Sequence, residues 1–155
     1  MIVTICIALS NLFWLPIMGS LSDKIGRKPI LLVFSILTIL TAYPAMTWLV
    51  KSPDFTHMLI VELWLSFLYA SWNGAMVVAL AEVMPVEVRT VGFSLAYSLA
   101  TAIFGGFTPA VATWLIAQTH NKAAPAIWMS TAAICGLIAT IILYRKKERA
   151  QLHTL

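Results

Sequence analysis

Four polar side chains stand inside an otherwise apolar stretch: Glu62, Ser66, Tyr69 and Asn73. Their offsets of 0, 4, 7 and 11 residues fall on one narrow face of an α-helix at about 100° per residue. In a helix solvated by lipid, such a stripe lines a cavity or bonds to neighbouring helices. A carboxylate near the bilayer centre costs about 2.5–3.5 kcal/mol on the insertion scale, so it turns inward. Glu62 then reads as a proton site or as part of a hydrogen-bonding wall. It also reads as a carboxylate close enough to the outer surface to stay hydrated. Asn73 offers an amide that can bind a carboxylate or a hydroxyl.

A second constellation lies between two apolar runs: Gly19-Ser20-Leu21-Ser22-Asp23-Lys24-Ile25-Gly26-Arg27-Lys28-Pro29. Gly19 and Gly26 permit close helix approach and a positive φ. Asp23 can accept from a helix N-terminus or pair with an arginine. Arg27 and Lys28 hold the turn on one side of a membrane. The loop reads either as a simple basic anchor or as a charge clasp that latches one packed state and releases in another. Further along, Arg89 stands near Glu82 and Glu87, as a gate partner of one of them or as a second anchor.

A third pattern is small residues at every fourth position: Ser94, Ser98, Ala102, Gly106 and Ala110. They suit close backbone packing, and Gly105, Gly106 and Pro109 mark a bend. The alternatives are a helix that flexes during transport and one that is merely tightly packed. Cys6 and Cys135 fall inside apolar runs and read as small buried hydrophobes rather than as a disulfide. His57, His120 and His153 are far apart, so no metal site and no cofactor is expected. No nucleophile stands at helical spacing from a base and no phosphate-cradling loop is evident, so an enzyme is not expected.

The elements that position these groups follow from composition. The 155 residues are 61% hydrophobic and 10% charged, against roughly 25% charged in a typical soluble domain; the mean hydropathy is +0.91. A soluble fold of this size cannot hide so much apolar surface. The solvent must be the lipid bilayer, which excludes soluble enzymes and disordered regulators. The ten Lys and Arg sit in short clusters between apolar runs, which argues against nucleic-acid binding. Runs of about 20 residues span a bilayer as helices. Five are expected, at about 2–18, 30–50, 58–83, 91–118 and 126–144. The first has no basic leader and no cleavage site, so it reads as a span rather than a signal peptide. Pro16, Pro44 and Pro109 predict kinks. Trp14, Trp48, Trp114, Trp128 and Tyr144 lie mostly towards span ends, as in an interfacial belt.

Charge sets the orientation. Lys24, Arg27, Lys28, Arg89, Arg145, Lys146, Lys147 and Arg149 fall on one side, and Lys51 and Lys122 on the other. The first set is cytoplasmic by the positive-inside rule. The N-terminus is then outside, and residues 145–155 form a basic cytoplasmic tail behind a membrane domain at 1–144.

The loop pattern Gly-x-Leu-x-Asp-x-x-Gly-Arg-Lys, filled by Gly19, Leu21, Asp23, Gly26, Arg27 and Lys28, resembles the signature loop of the major facilitator superfamily. The stretch from Glu82 to Tyr97 resembles the metabolite:proton symporter branch. Ser10-Asn11-Leu12-Phe13-Trp14-Leu15-Pro16, Asn73-Gly74-Ala75-Met76-Val77 and the run from Arg89 to Gly106 are similar to bacterial citrate–proton symporters and tricarballylate carriers in that branch. The resemblance implies an all-α integral membrane fold: five transmembrane helices, eight to twelve of twelve, as a partial C-terminal half. It implies a bacterial inner membrane location and secondary active transport of citrate or a related tri- or dicarboxylate with protons. The carriers carry an apolar residue where Glu62 stands. A fragment of this extent is expected to be inactive alone and to need the missing N-terminal half. The alternative is a small membrane interaction protein that modulates a full-length transporter.

Overall fold

The computed structural model describes residues 2–152, with side chains described to Arg145. The side chains of Lys146, Lys147 and Arg149, and all of His153, lie outside the described residues. The chain runs α1 (Ile2–Ile25), α2 (Arg27–Lys51), α3 (Phe55–Val83), α4 (Arg89–Thr101), a π-helical segment (Ala102–Gly106), α5 (Thr108–Thr119) and α6 (Pro125–Leu152). Among the described residues there is no strand. Five runs are long and apolar enough to cross a membrane, with Arg89–Thr119 counting as one of 31 residues.

Helix is the form in which each backbone group finds a partner within its own segment, which lipid cannot supply. Side-chain hydroxyls follow the same logic. Thr38 donates to the Phe34 carbonyl at 2.8 Å, Thr41 to Leu37 at 2.7 Å and Ser71 to Phe67 at 2.7 Å. Each is bonded one turn back along its own helix. Pro16 and Pro44 sit inside α1 and α2, and both helices continue through them. Large apolar side chains such as Leu12, Phe13, Leu40 and Leu95 face outward, as a lipid-facing surface requires. Cys6 and Cys135 are both free, and Cys135 is exposed rather than buried. With apolar solvent outside, a small hydrophobe gains nothing by turning inward.

α3 is the centre of the bundle. It packs against α1 on one side and α2 on another, while α2 also packs on α6. Its buried positions are mostly small: Ser66, Ala70, Ser71, Gly74, Ala75 and Ala79. Association of helices in lipid rests on close packing, which small residues allow. Gly74 is the tightest point: a Cβ there would stand 3.0 Å from the Leu15 carbonyl oxygen and 3.2 Å from the Gly19 nitrogen, both backbone atoms of α1. Phe67 joins three helices, edge-on to Trp14 of α1 at 4.7 Å and to Phe34 of α2 at 5.7 Å. Trp14 is thus a packing residue rather than part of an interfacial belt. Ile30, Leu31, Ala75 and Ala79 form a buried cluster, with Leu21, Trp72 and Tyr144 against it.

The run from Arg89 to Thr119 differs from the rest. It is one apolar run in the sequence, but Ala102–Gly106 winds as a π-helix between α4 and α5. Pro109 is the second residue of α5, and Thr108 hydrogen-bonds to the Phe104 carbonyl across the junction. Trp128 of α6 donates to Thr108 at 3.1 Å and ties the junction to α6. Elsewhere α4 meets the bundle only lightly, at α3, and none of the apolar stretch of Arg89–Thr119 is buried.

The two glycines at the α1–α3 crossing separate packing from propensity. Gly74→Ala should cost about 1–3 kcal/mol by overpacking rigid backbone. Gly19→Ala meets only the Gly74 oxygen at 4.0 Å and gains roughly 1 kcal/mol of helix propensity, so it should be neutral or stabilising. Denaturation of the two variants in detergent micelles, followed by circular dichroism, checks this ordering.

Candidate functional site

The polar side chains gather at two levels. The first is the end of the bundle where α1, α2, α3 and α6 meet. Gly26 alone connects α1 to α2, with φ 101° and ψ 147°, a backbone conformation open essentially only to glycine. Its N–H still bonds to the Ser22 carbonyl at 3.1 Å, so the chain turns without losing the last turn of α1. This sharp reversal brings Arg27 back over Asp23.

Arg27 is the hub. Its Nε and Nη2 donate to Glu82 Oε2 and Oε1 at 2.7 and 2.5 Å, and Nη1 donates to Asp23 Oδ1 at 2.6 Å. The Glu82 contact is a side-on pair that fixes guanidinium and carboxylate in one plane. Nη1 also reaches Ser22 Oγ at 3.2 Å, and Ser22 donates in turn to the Gly19 carbonyl at 2.7 Å. The Arg27 side chain is 15% exposed, against 49% for Glu82 and 60% for Asp23. The cation is thus held inside while its carboxylates face water. Arg27 stands ahead of the apolar run that begins at Ile30. Its hydrogen bonds to Glu82 first, and to Asp23 second, push its pKa further up, so it stays charged. Lys28 Nζ lies 5.9 Å from the ring centre of Tyr144 on α6, within cation–π range.

Gly19, Asp23, Gly26, Arg27, Lys28 and Glu82 therefore meet in one cluster that joins four helices. Arg89 does not join it. It donates to the Met84 carbonyl at 3.3 Å, and among the described residues it pairs with neither Glu82 nor Glu87. Arg27, 55 residues before Glu82, takes that carboxylate instead, and Arg89 caps the turn between α3 and α4. Ser22, buried beneath Arg27, is a member that spacing did not single out; its place between the glycine and the aspartate of the loop was the available signal.

The second level is within the bundle, on α3. Ser66 is buried and donates to Asn11 Oδ1 of α1 at 3.0 Å. Asn73 is 7% exposed, and its Oδ1 is buried without a hydrogen-bond partner. The Tyr69 hydroxyl lies near both Asn73 and Tyr97 of α4. Glu62 is half-buried. All four positions lie within α3, but their surroundings diverge: Ser66 serves the α1 contact, while Tyr69 is 56% exposed. Asn11 and Tyr97 complete the cluster, and neither is reachable by spacing along α3. On the far run, Ser98, Ala102, Gly105, Gly106 and Pro109 are exposed, and a Cβ at Gly106 would meet nothing within 4 Å. They lie in and beside the π-helical segment, and among the described residues none of them is buried.

A superfamily match settles the class of protein. The family model described as the Major Facilitator Superfamily matches residues 1–154. The chain belongs to that superfamily. It is 58% identical over 150 residues to the citrate-proton symporter of Klebsiella pneumoniae, covering 97% of this chain and 34% of the relative. It is 54% identical to the citrate-proton symporter of Salmonella typhi, over 96% of this chain and 34% of that protein. The proline/betaine transporter of Escherichia coli (strain K12) is 28% identical over 96% of this chain and 29% of its own length. The chain spans about a third of the length of these curated relatives. No solved structure matches it.

The Arg27–Glu82 pair should behave as one two-pronged contact. Arg27→Lys keeps the charge but loses the planar fork. A double-mutant cycle over Arg27→Lys and Glu82→Gln, read by unfolding in micelles, should return a coupling of roughly 1 kcal/mol that shrinks as salt is added.

Proposed function

We propose that this chain is the C-terminal membrane segment of a proton-coupled carrier for citrate or a related tri- or dicarboxylate. The observation that carries the reading is its 58% and 54% identity to two citrate-proton symporters along nearly its whole length. In this reading the five apolar runs are helices eight to twelve, in a bacterial inner membrane. The basic cluster and residues 145–155 face the cytoplasm, and the N-terminus faces outward.

The arrangement suits alternating access, in which two bundles rock about a site near the midplane. The Arg27 cluster ties the cytoplasmic ends of α1, α2 and α3 together. It is a clasp of solvent-facing charges, strong enough to favour one packing and weak enough to release. The π-helical break at Ala102–Gly106 divides the helix that meets the bundle least, which suits an element that bends or swings. Between α1, α3 and α4, Asn11, Ser66, Tyr69, Asn73 and Tyr97 provide hydroxyl and amide groups at mid-helix. Glu62 stands towards the outer end of α3, as a proton site or a hydrated rim carboxylate. The apolar runs contain no Lys or Arg. A multiply charged anion needs cationic donors, so these come from outside this segment. The bare face of Arg89–Thr119 is where the complementary helices would pack.

Fusing this chain to the part of the Klebsiella pneumoniae symporter that precedes the matched region tests the reading. The fusion should accumulate radiolabelled citrate in cells, and a protonophore should abolish the accumulation. The 155-residue chain alone, reconstituted in proteoliposomes, should accumulate none. Uptake by the chain alone, or an inert fusion that reaches the membrane intact, contradicts the proposal.

A further inference from the structure

The run from Arg89 to Thr119 holds a surplus residue. Ala102–Gly106 winds as a π-helical turn between α4 and α5, and such a turn takes up about one residue more than an α turn. The two flanks are held differently. On the α5 side, Trp128 of α6 donates to Thr108 at 3.1 Å, and its ring lies 5.6 Å from that of Phe104, centre to centre. On the α4 side, the rings of Phe93 and Tyr97 stack at 5.6 Å and 11°. Both are half-buried, and the Tyr69 hydroxyl of α3 lies near Tyr97. Ser94 and Ser98, the next residue in each case, are exposed. Between the flanks, a Cβ at Gly106 would meet nothing within 4 Å. α5 is thus anchored to α6, while α4 rests on α3 through a light contact.

We infer that the π-helical turn is a register switch: when it rewinds as α-helix, α4 turns by one residue, and Ser94 and Ser98 take the places that Phe93 and Tyr97 now hold. The inference rests on the carrier reading and deepens it. With α5 held by Trp128, drawing the surplus residue into regular helix rotates α4 by about 100° and shifts it by about 1.5 Å along its axis. The exposed turn at 85–88, between α3 and α4, absorbs the shift. Residues four apart share one ridge of a helix, so the aromatic ridge and the serine ridge exchange as units. The meeting of Tyr69 with Tyr97 is lost. Small side chains let helix backbones approach closely, so the stripe of Ser94 and Ser98, exposed in this conformation, becomes a packing face in the other.

Dityrosine crosslinking in the fusion carrier tests the exchange. Photo-oxidation with a ruthenium complex and persulfate joins tyrosine rings that meet, and it traps the state in which they do. Ser98→Tyr offers Tyr69 a choice of two neighbouring partners, told apart by peptide fragmentation. At rest the bond should form at position 97, which also reports that the variant is folded. During citrate uptake it should move by one residue, to position 98. Deleting Gly106 removes the surplus residue and leaves both flanks as they stand. That carrier should keep the bond at position 97 with or without citrate and should lose accumulation. A bond at position 97 that weakens during uptake with no gain at position 98 overturns the inference, because α4 then swings without turning. A bond that stays at position 97 throughout uptake also overturns it, as does a Gly106 deletion that accumulates citrate like its parent. Each of these leaves the transport reading standing. A parent fusion that takes up no citrate overturns the transport reading itself.

Discussion

Hydrocarbon offers no hydrogen bonds, and that absence organises this chain. It forces the backbone into helices that bond internally. It turns Thr38, Thr41 and Ser71 back onto their own carbonyls. It lets Leu12, Phe13 and Leu95 face outward at no cost, which would be ruinous in water. With no hydrophobic force to draw helices together, contact depends on fit. α3 therefore presents alanine, serine and glycine to its neighbours, and Gly74 sets how near α1 can come. The same constraint makes the few polar groups informative, because each must be satisfied or be held for something else.

The two polar levels differ in the energy they bring. Packing along α3 involves many close contacts and fixes which helices are neighbours. The Arg27 cluster has ideal side-on geometry, but its carboxylates are about half exposed, so solvent and salt weaken it. Its value is in specifying one arrangement of helix ends rather than in total stability. Gly26 makes that specification possible by reversing the chain in a single residue. A longer loop would let Arg27 wander, and the fork to Glu82 would be lost. The lightly held α4, set off from α5 by the π-helical segment, completes a design of rigid centre and loose flank.

Much of this was legible in the residues. Apolar runs of bilayer length, short basic clusters between them and the filled loop pattern from Gly19 to Lys28 together gave the fold class and the superfamily. What stayed hidden was long-range pairing. Arg89 lies much nearer to Glu82 in sequence than Arg27 does, yet Arg27 makes the bond, because α3 returns beside the α1–α2 turn. Spacing placed Ser66 and Asn73 on one face, but only the packed bundle distinguishes a serine bonded across to Asn11 from an asparagine with a bare oxygen. The π-helical winding at Ala102–Gly106 was foreshadowed by two glycines and a proline, which mark a bend without fixing its hydrogen-bonding pattern.

A cytoplasmic clasp requires α3 to cross the bilayer with its Glu82 end in the cytoplasm. Its two ends can be addressed separately, once Cys6 and Cys135 are replaced by alanine, through Asp54→Cys before α3 and Glu87→Cys after it. Neither change alters the count of basic residues that sets orientation. In intact cells, a membrane-impermeant maleimide should label Asp54→Cys and leave Glu87→Cys unlabelled until the membrane is opened. Labelling of Glu87→Cys from outside, or of both sites equally, would contradict the orientation and, with it, a cytoplasmic clasp at Arg27.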